Sequence, residues 1–288
     1  MPRFNPTQPT APISNDSPDP EAYRQSADFL ESRLSVKPEI LIVLGSGLGS
    51  LADELENKET LEFDKIPHFK TATAPGHKGR LVAGRLKGRN VLAMQGRFHV
   101  YEGHSPLESA FPIRVASLLG VDKLLTTCAC GGVNEKYKVG DITLINDYIN
   151  FTHTSPLVGM SVAGFDSRFI DVSTAFDKKY REMAVSAAKN GNIPLQKGVY
   201  FYMPGPQFET PAEIRAIRAL GGDLVGMSLV HEVIMARRMN MRTLALGLVT
   251  NMAAGILDAP LTEEEVLVEG KKAAVRFSKL VKALIEKM

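Results

Sequence analysis

The side chains able to do chemistry gather in four short stretches. Gly45-Ser46-Gly47-Leu48-Gly49 follows an apolar run and offers backbone N–H groups and the Ser46 hydroxyl at what reads as a helix N-terminus, a natural cradle for an anion. A plain tight turn between strand and helix would read the same way. It is not a dinucleotide fingerprint, because the third glycine of that pattern is Ser50, and no Gly-Lys-Ser/Thr follows to make a Walker loop. The second stretch pairs PGHKGR (75–80), which contains His77, with QGRFHVYEGH (95–104). There Arg97, His99 and Tyr101 alternate, so an extended chain points all three to one side. Arg97 suits a bidentate grip on an oxyanion, and His99 can donate to it. In the third, GPQFET (205–210), Phe208 offers a stacking face and Glu209 a carboxylate acceptor for a planar heterocycle bearing N–H. A helix N-terminal turn with a capping acid reads identically. The fourth, TNMAAG (250–255), holds Asn251, both donor and acceptor, although asparagine is common in turns. The six histidines show no H-E-x-x-H or comparable spacing, so a metal site is not indicated.

Alternating strands and helices must position these stretches. EILIVLG (39–45) reads as a buried strand running into the first glycine turn, behind a helical pattern over 21–35. RLVAGRL (80–86) and NVLAMQG (90–96) read as a hairpin about Lys87-Gly88-Arg89. Residues 105–119 read as a helix bent at Pro112, 123–132 as a strand closing on a glycine turn, and 141–147 as a strand. A helix over 174–190, a strand at 198–205 and a helix at 211–220 opened by Pro211 follow. A short strand at 223–228, a helix at 229–239 and a strand at 243–251 come next. The last helix, 262–287, starts at Thr262-Glu263-Glu264-Glu265, a capping-box arrangement. Such alternation implies an α/β domain around a largely parallel or mixed sheet, with ligands beyond the carboxyl ends of its strands. Strand ends at Gly45–Gly49, Cys130-Gly131-Gly132, Met227-Ser228 and Thr250-Asn251 mark that edge.

The 288 residues, 44% hydrophobic and 23% charged, are enough for a large core. Lys+Arg is 34 against Asp+Glu 32, a balance that argues against a dedicated nucleic-acid surface. No apolar window is long enough to span a membrane, and the start lacks the apolar core of a secretory leader. Cys128 and Cys130 cannot make a disulfide framework. A cytoplasmic protein is expected. Residues 1–20 contain six of the 17 prolines and read as a disordered tail, leaving 21–288 as one domain.

Taken in order, GSGLG, PGHKGRL, QGRFHVYEG, the glycine turn at 131–132, GPQFET, VGMS and TNMAAG make the sequence resemble the trimeric purine nucleoside phosphorylases over roughly residues 35–288. The resemblance implies a single three-layer α/β/α domain with a mixed, partly barrel-like central sheet. It also implies a homotrimer acting on a purine nucleoside and phosphate, with no metal or organic cofactor. By the same resemblance Ser46, His77, Arg97, His99, the backbone at Ala129 and Ser228 correspond to a phosphate site. Tyr101, Met227 and Glu263 correspond to ribose contacts, with Phe169 as the aromatic residue a neighbouring subunit lends. Phe208, Glu209, Val225 and Asn251 correspond to the purine pocket, and His99, Glu209 and Asn251 to the catalytic set.

Physical chemistry fits that assignment. Phosphorolysis breaks the bond from C1′ to N9 while cationic character grows on the ribose and negative charge on the base. Phosphate beneath C1′ would offset the first, and an Asn251 donor at N7 the second. A Glu209 carboxylate accepts from the N1–H of a 6-oxopurine but faces a bare acceptor in adenine, a mismatch of roughly 1–3 kcal/mol. Inosine and guanosine are the expected substrates. In the related methylthioadenosine phosphorylases an Asp replaces the Asn. The chain departs from the family pattern at Cys128-Ala129-Cys130, at His231 where proline is common, and at Glu263 where histidine is frequent. The cysteines read as small buried replacements, with Cys130 able to reach the ligand; Glu263 reads as a ribose acceptor or a helix cap. A xanthosine-preferring enzyme, a nucleoside binder without useful catalysis and a dinucleotide-dependent oxidoreductase are the alternatives, the last disfavoured by the failed glycine spacing.

Overall fold

The computed structural model describes residues 20–152, 154–160, 165–258 and 260–288. The proline-rich tail lies outside these, apart from Pro20, which opens the first helix. The run Ile40–Leu44 (β1) is buried on both faces, because helices cover both sides of the sheet. Ile40, Ile42 and Leu44 pack towards α4 (Lys178–Asn190) and α7 (Glu263–Ile285). Leu41 and Val43, pointing the other way, pack towards α1 (Pro20–Arg33), α3 (Phe111–Leu118) and α6 (Val230–Arg238). The period-two alternation of one strand thus defines three layers.

The sheet has nine strands: β1, β2 (Glu56–Glu62), β3 (Arg80–Leu86), β4 (Arg89–Gln95), β5 (Lys123–Gly132), β6 (Ile142–Asn150), β7 (Leu195–Tyr202), β8 (Leu224–Gly226) and β9 (Arg242–Met252). Their order is β2-β3-β4-β1-β5-β8-β7-β6-β9, and β9 pairs back onto β5. Five strands therefore close into a mixed barrel, with β1, β4, β3 and β2 as a flange. The long parallel β5–β9 pairing carries a register shift between Cys130 and Gly131, beyond which β5 stays paired with β9 and takes β8 on its other edge.

Most expected elements form, with informative differences. The β3–β4 hairpin turns through Lys87 (φ 51°) and Gly88 (φ 78°), the left-handed pair that a two-residue hairpin needs. The 105–119 helix is two helices, α2 (Pro106–Ser109) and α3, which meet at Ala110. The break precedes Pro112, which sits in the first turn of α3, where its missing N–H costs nothing. The 174–190 helix begins only at Lys178, because the Asp177 side chain accepts from the Tyr180 N–H and caps it there. In α7 half of the expected capping box forms: the Thr262 hydroxyl accepts from the Glu265 N–H. The glycine turn after β1 leads into a short 3₁₀ helix, Gly49–Glu54, and not into the α-helix expected, so any anion there relies on local N–H and hydroxyl groups. The 131–132 and 250–251 positions lie within β5 and β9 and do not form turns beyond them.

Candidate active site

A cavity of about 370 Å³ opens where β1, β5, β8 and β9 end, in the size range of small-molecule sites. Its walls bring together all the expected site residues except His77 and Phe169.

At one end stand Ser46, Arg97, His99, Ala129 and Ser228. Arg97 is 2% exposed, and its guanidinium is nearly spent on the protein itself. Nε donates to Glu232 Oε1 at 2.7 Å, and Nη2 donates to Glu232 Oε2 at 3.2 Å and to Thr126 Oγ1 at 2.8 Å. Nη1 donates to the Thr127 carbonyl at 2.8 Å. Of five N–H groups one remains, so the bidentate grip expected from sequence is corrected to a single Nη1–H. Although burial works against the charge, the Glu232 carboxylate more than compensates and raises the Arg97 pKa. Glu232, on α6, is a partner of the site that the sequence did not reveal.

The histidines are set by their partners. His77 accepts the Arg97 backbone N–H at Nδ1 (3.3 Å), which places its proton on Nε2, 3.3 Å from Ser46 Oγ. Ser46 accepts there and keeps its own hydrogen for the cavity. His77 thus acts through Ser46 and does not line the wall. Burial, then the charges of His99 and Arg97, pushes its pKa down to about 3. His99 stacks between His77 (5.1 Å) and Tyr101 (4.5 Å). The chain is extended only as far as His99 and then turns through a 3₁₀ helix, Val100–Glu102, yet the His99 and Tyr101 rings still share a side. His99 Nδ1 lies 2.8 Å from Glu102 Oε1. Burial alone would raise Glu102, but hydrogen bonds from His99 and from the Thr73 N–H and hydroxyl bring it to about 2. At Ser228 the backbone N–H donates to the Tyr200 hydroxyl at 3.2 Å. Leu229 beside it holds φ 54°, an uncommon conformation for leucine, and carries the chain straight from Ser228 into α6.

At the other end are Phe208, Glu209, Val225 and Asn251. Glu209 is 7% exposed, and its Oε1 is buried without a partner. Burial raises its pKa. Asn251 is buried on β9, and its Oδ1 lies 3.1 Å from where a Cβ on Gly131 would be, so the bulged glycine makes room for the amide. Phe208 forms a partly exposed wall.

Tyr101, Met227 and Glu263 also line the cavity. Burial, then Glu102, raises Tyr101 to about 12, so it is a neutral donor. Glu263 is the first residue of α7 and faces the cavity from that helix end. Cys128 and Cys130 are buried in the barrel, as expected; Cys130 also touches the cavity wall, and its thiol donates to the Leu248 carbonyl at 3.3 Å. Phe169 is 84% exposed and outside this cavity. Among the described residues no cluster of His, Cys, Asp or Glu could hold a metal ion, and no helix is long and apolar enough to cross a membrane.

The family model described as the phosphorylase superfamily matches residues 39–286. Purine nucleoside phosphorylase 1 of Bacillus subtilis is 49% identical over 265 residues, 92% of this chain and 98% of that one. The purine nucleoside phosphorylase of Bos taurus is 43% identical over 274 residues, 92% of this chain and 94% of that one. Among solved structures, purine nucleoside phosphorylase of Schistosoma mansoni in complex with adenosine superposes with a TM-score of 0.89 at 39% identity, covering 94% and 98% of the two chains. Schistosoma mansoni purine nucleoside phosphorylase in complex with inosine gives a TM-score of 0.88 at 38% identity, covering 94% and 97%. Agreement of this depth along nearly the whole length places the chain in the purine nucleoside phosphorylase family of the phosphorylase superfamily.

Proposed function

We propose that the protein cleaves the N-glycosidic bond of purine ribonucleosides and deoxyribonucleosides with phosphate, releasing the base and the sugar 1-phosphate, and that 6-oxopurines are its substrates. The observation that carries the substrate class is the unpartnered buried Oε1 of Glu209. A buried carboxylate oxygen without a donor is costly, and the N1–H of hypoxanthine or guanine supplies one. Asn251 then donates to N7 as charge collects on the departing base, while phosphate held by Ser46, Arg97, His99 and Ser228 lies under C1′. The phosphate oxygen forms its bond to C1′ as the pair of the C1′–N9 bond leaves with the purine. Purified protein with inosine should release hypoxanthine only when phosphate is present. Release without phosphate, or none with inosine, guanosine or xanthosine, would overturn the reading.

The assembly we propose is a homotrimer in which Phe169 completes the sugar end of a neighbouring site. Its support is an exposed aromatic ring on an anchored segment. Phe165 lies under the Arg238 guanidinium at 3.9 Å, and Arg238 also donates to the Ser167 carbonyl. Phe169→Ala should raise the KM for inosine about tenfold with the KM for phosphate and the sedimentation coefficient unchanged. An unaltered inosine KM would remove Phe169 from the site.

A further inference from the structure

The anion end of the cavity offers several groups that can donate, and its hydrogen bonds leave one among them that in its neutral form can only accept. Ser46 has its hydrogen free because His77 Nε2–H donates to its oxygen at 3.3 Å. At Ser228 the N–H donates to the Tyr200 hydroxyl at 3.2 Å, and its own rotatable hydroxyl, 3.5 Å from that oxygen, can donate to an anion. Arg97 keeps one Nη1–H. His99 differs. Its Nδ1 faces the Glu102 carboxylate at 2.8 Å, and that oxygen also takes the His99 backbone N–H at 3.0 Å, so Nδ1 carries the proton. In the neutral ring Nε2 is then a lone pair facing the cavity.

The charges around His99 keep the ring neutral. Glu102 lies on its own segment, Arg97 and Tyr101 flank it, His77 stacks on it from the loop before β3, and Glu232 stands behind Arg97 on α6. Arg97 and Glu232 cancel as a buried pair. His99 is itself 6% exposed, and burial outweighs the pull of Glu102, leaving its pKa below the ordinary histidine value.

Resting on the proposed reading of this end as the phosphate site, we propose that His99 Nε2 accepts the hydroxyl hydrogen of a hydrogen phosphate, so the site selects tetrahedral oxyanions that carry an acidic hydroxyl and rejects those, such as sulfate, that carry none. Sulfate would press an oxygen lone pair against the Nε2 lone pair and can enter only if His99 first takes up a proton. Arsenate, which has the hydroxyl, belongs with phosphate.

The test is calorimetric titration of the whole protein with inorganic phosphate and with sulfate. It is run at mildly alkaline pH, where phosphate is chiefly the dianion with one hydroxyl, in buffers of different ionisation enthalpy. Phosphate should bind without net proton exchange, and about a hundredfold more tightly than sulfate. Sulfate should bind with uptake of about one proton and gain about tenfold in affinity for each unit the pH falls. In His99→Gln the amide can turn its NH2 to the cavity, so the preference should shrink at least tenfold and the proton uptake with sulfate should vanish. Equal affinities, proton uptake with phosphate, no binding of either anion, or a His99→Gln variant that keeps the wild-type preference would each overturn the proposal. These are binding measurements without turnover, so their failure is distinct from a failure of phosphate-dependent hypoxanthine release.

Discussion

Arg97 and Glu232 show how little of an arginine need be left over for ligand. The carboxylate fixes the guanidinium plane, and the Thr126 hydroxyl, donating to Glu232 Oε2 at 2.7 Å, fixes the carboxylate. Removing Glu232 strands a buried cation among neighbours that cannot solvate it. Glu232→Ala is expected to lose about 3–5 kcal/mol in urea unfolding and to raise the KM for phosphate more than that for nucleoside. At the base end, Asn251→Asp should raise adenosine turnover relative to inosine, since a carboxylate can accept from a 6-amino group; an unchanged ratio would take Asn251 out of the pocket. The two ends were not equally legible in the sequence. Glu209 and Asn251 stood out because each sits in a glycine-rich or turn-like stretch. Glu232 lies in LVHEVIMARRM, 135 positions from Arg97, where one acid reads as an ordinary helix face. No local pattern reports a partner that only the fold brings near. Glu102 was closer to view, three residues from His99, and what hid its role was the turn that swings its carboxylate back onto the ring.

At the scale of elements, the anion loop and α7 meet through two glycines. A Cβ on Gly270 would sit 2.8 Å from the Gly47 Cα and 3.3 Å from the Ser46 carbonyl oxygen, and Gly47, at φ 76°, mirrors it. Both obstacles are backbone, so neither can swing aside. Gly270→Ala should therefore push α7 off the loop that presents Ser46, costing roughly 1–3 kcal/mol and raising the phosphate KM, whereas Glu264→Ala on the same helix should do neither. Periodicity gave the helices and the apolar strands well, because burial on one or both faces is what writes those patterns. It missed β2, whose sequence ENKETLE has no apolar run. β2 needs none, since it is the flange's outer strand, mostly exposed and paired on one side with β3. Its charges suit that place, where an unpaired ladder would otherwise invite another strand.

For the whole molecule, burial of neutral histidines sets the response to acid. His77 is held at about 3 and His231 at about 4, both mainly by burial. His231 lies between the Ser109 and Thr154 hydroxyls, at 3.3 and 3.2 Å. A folded pKa below the unfolded value means that the unfolded chain binds more protons, so stability falls as the pH drops below the ordinary histidine value of about 6.5. Between about pH 5.5 and 4.5 each of the two should contribute about 1 kcal/mol per pH unit to that loss, the share of His231 fading as the pH nears 4. Urea midpoints across this range should show it, and His231→Asn should remove one share; a flat profile down to about pH 5 would contradict the burial of these rings. The barrel closure, by contrast, was not written in any single stretch. It depends on β9 finding both β5 and β6, a pairing between segments more than a hundred residues apart for β5. That one strand carries Asn251 and also completes the ring, so the order of synthesis has a consequence. A chain still on the ribosome, with β5 to β8 made and β9 not yet emerged, has an open barrel with unpaired edges on β5 and β6 and no donor for a purine N7. Closure of the barrel and delivery of the base-pocket amide thus arrive with the same strand.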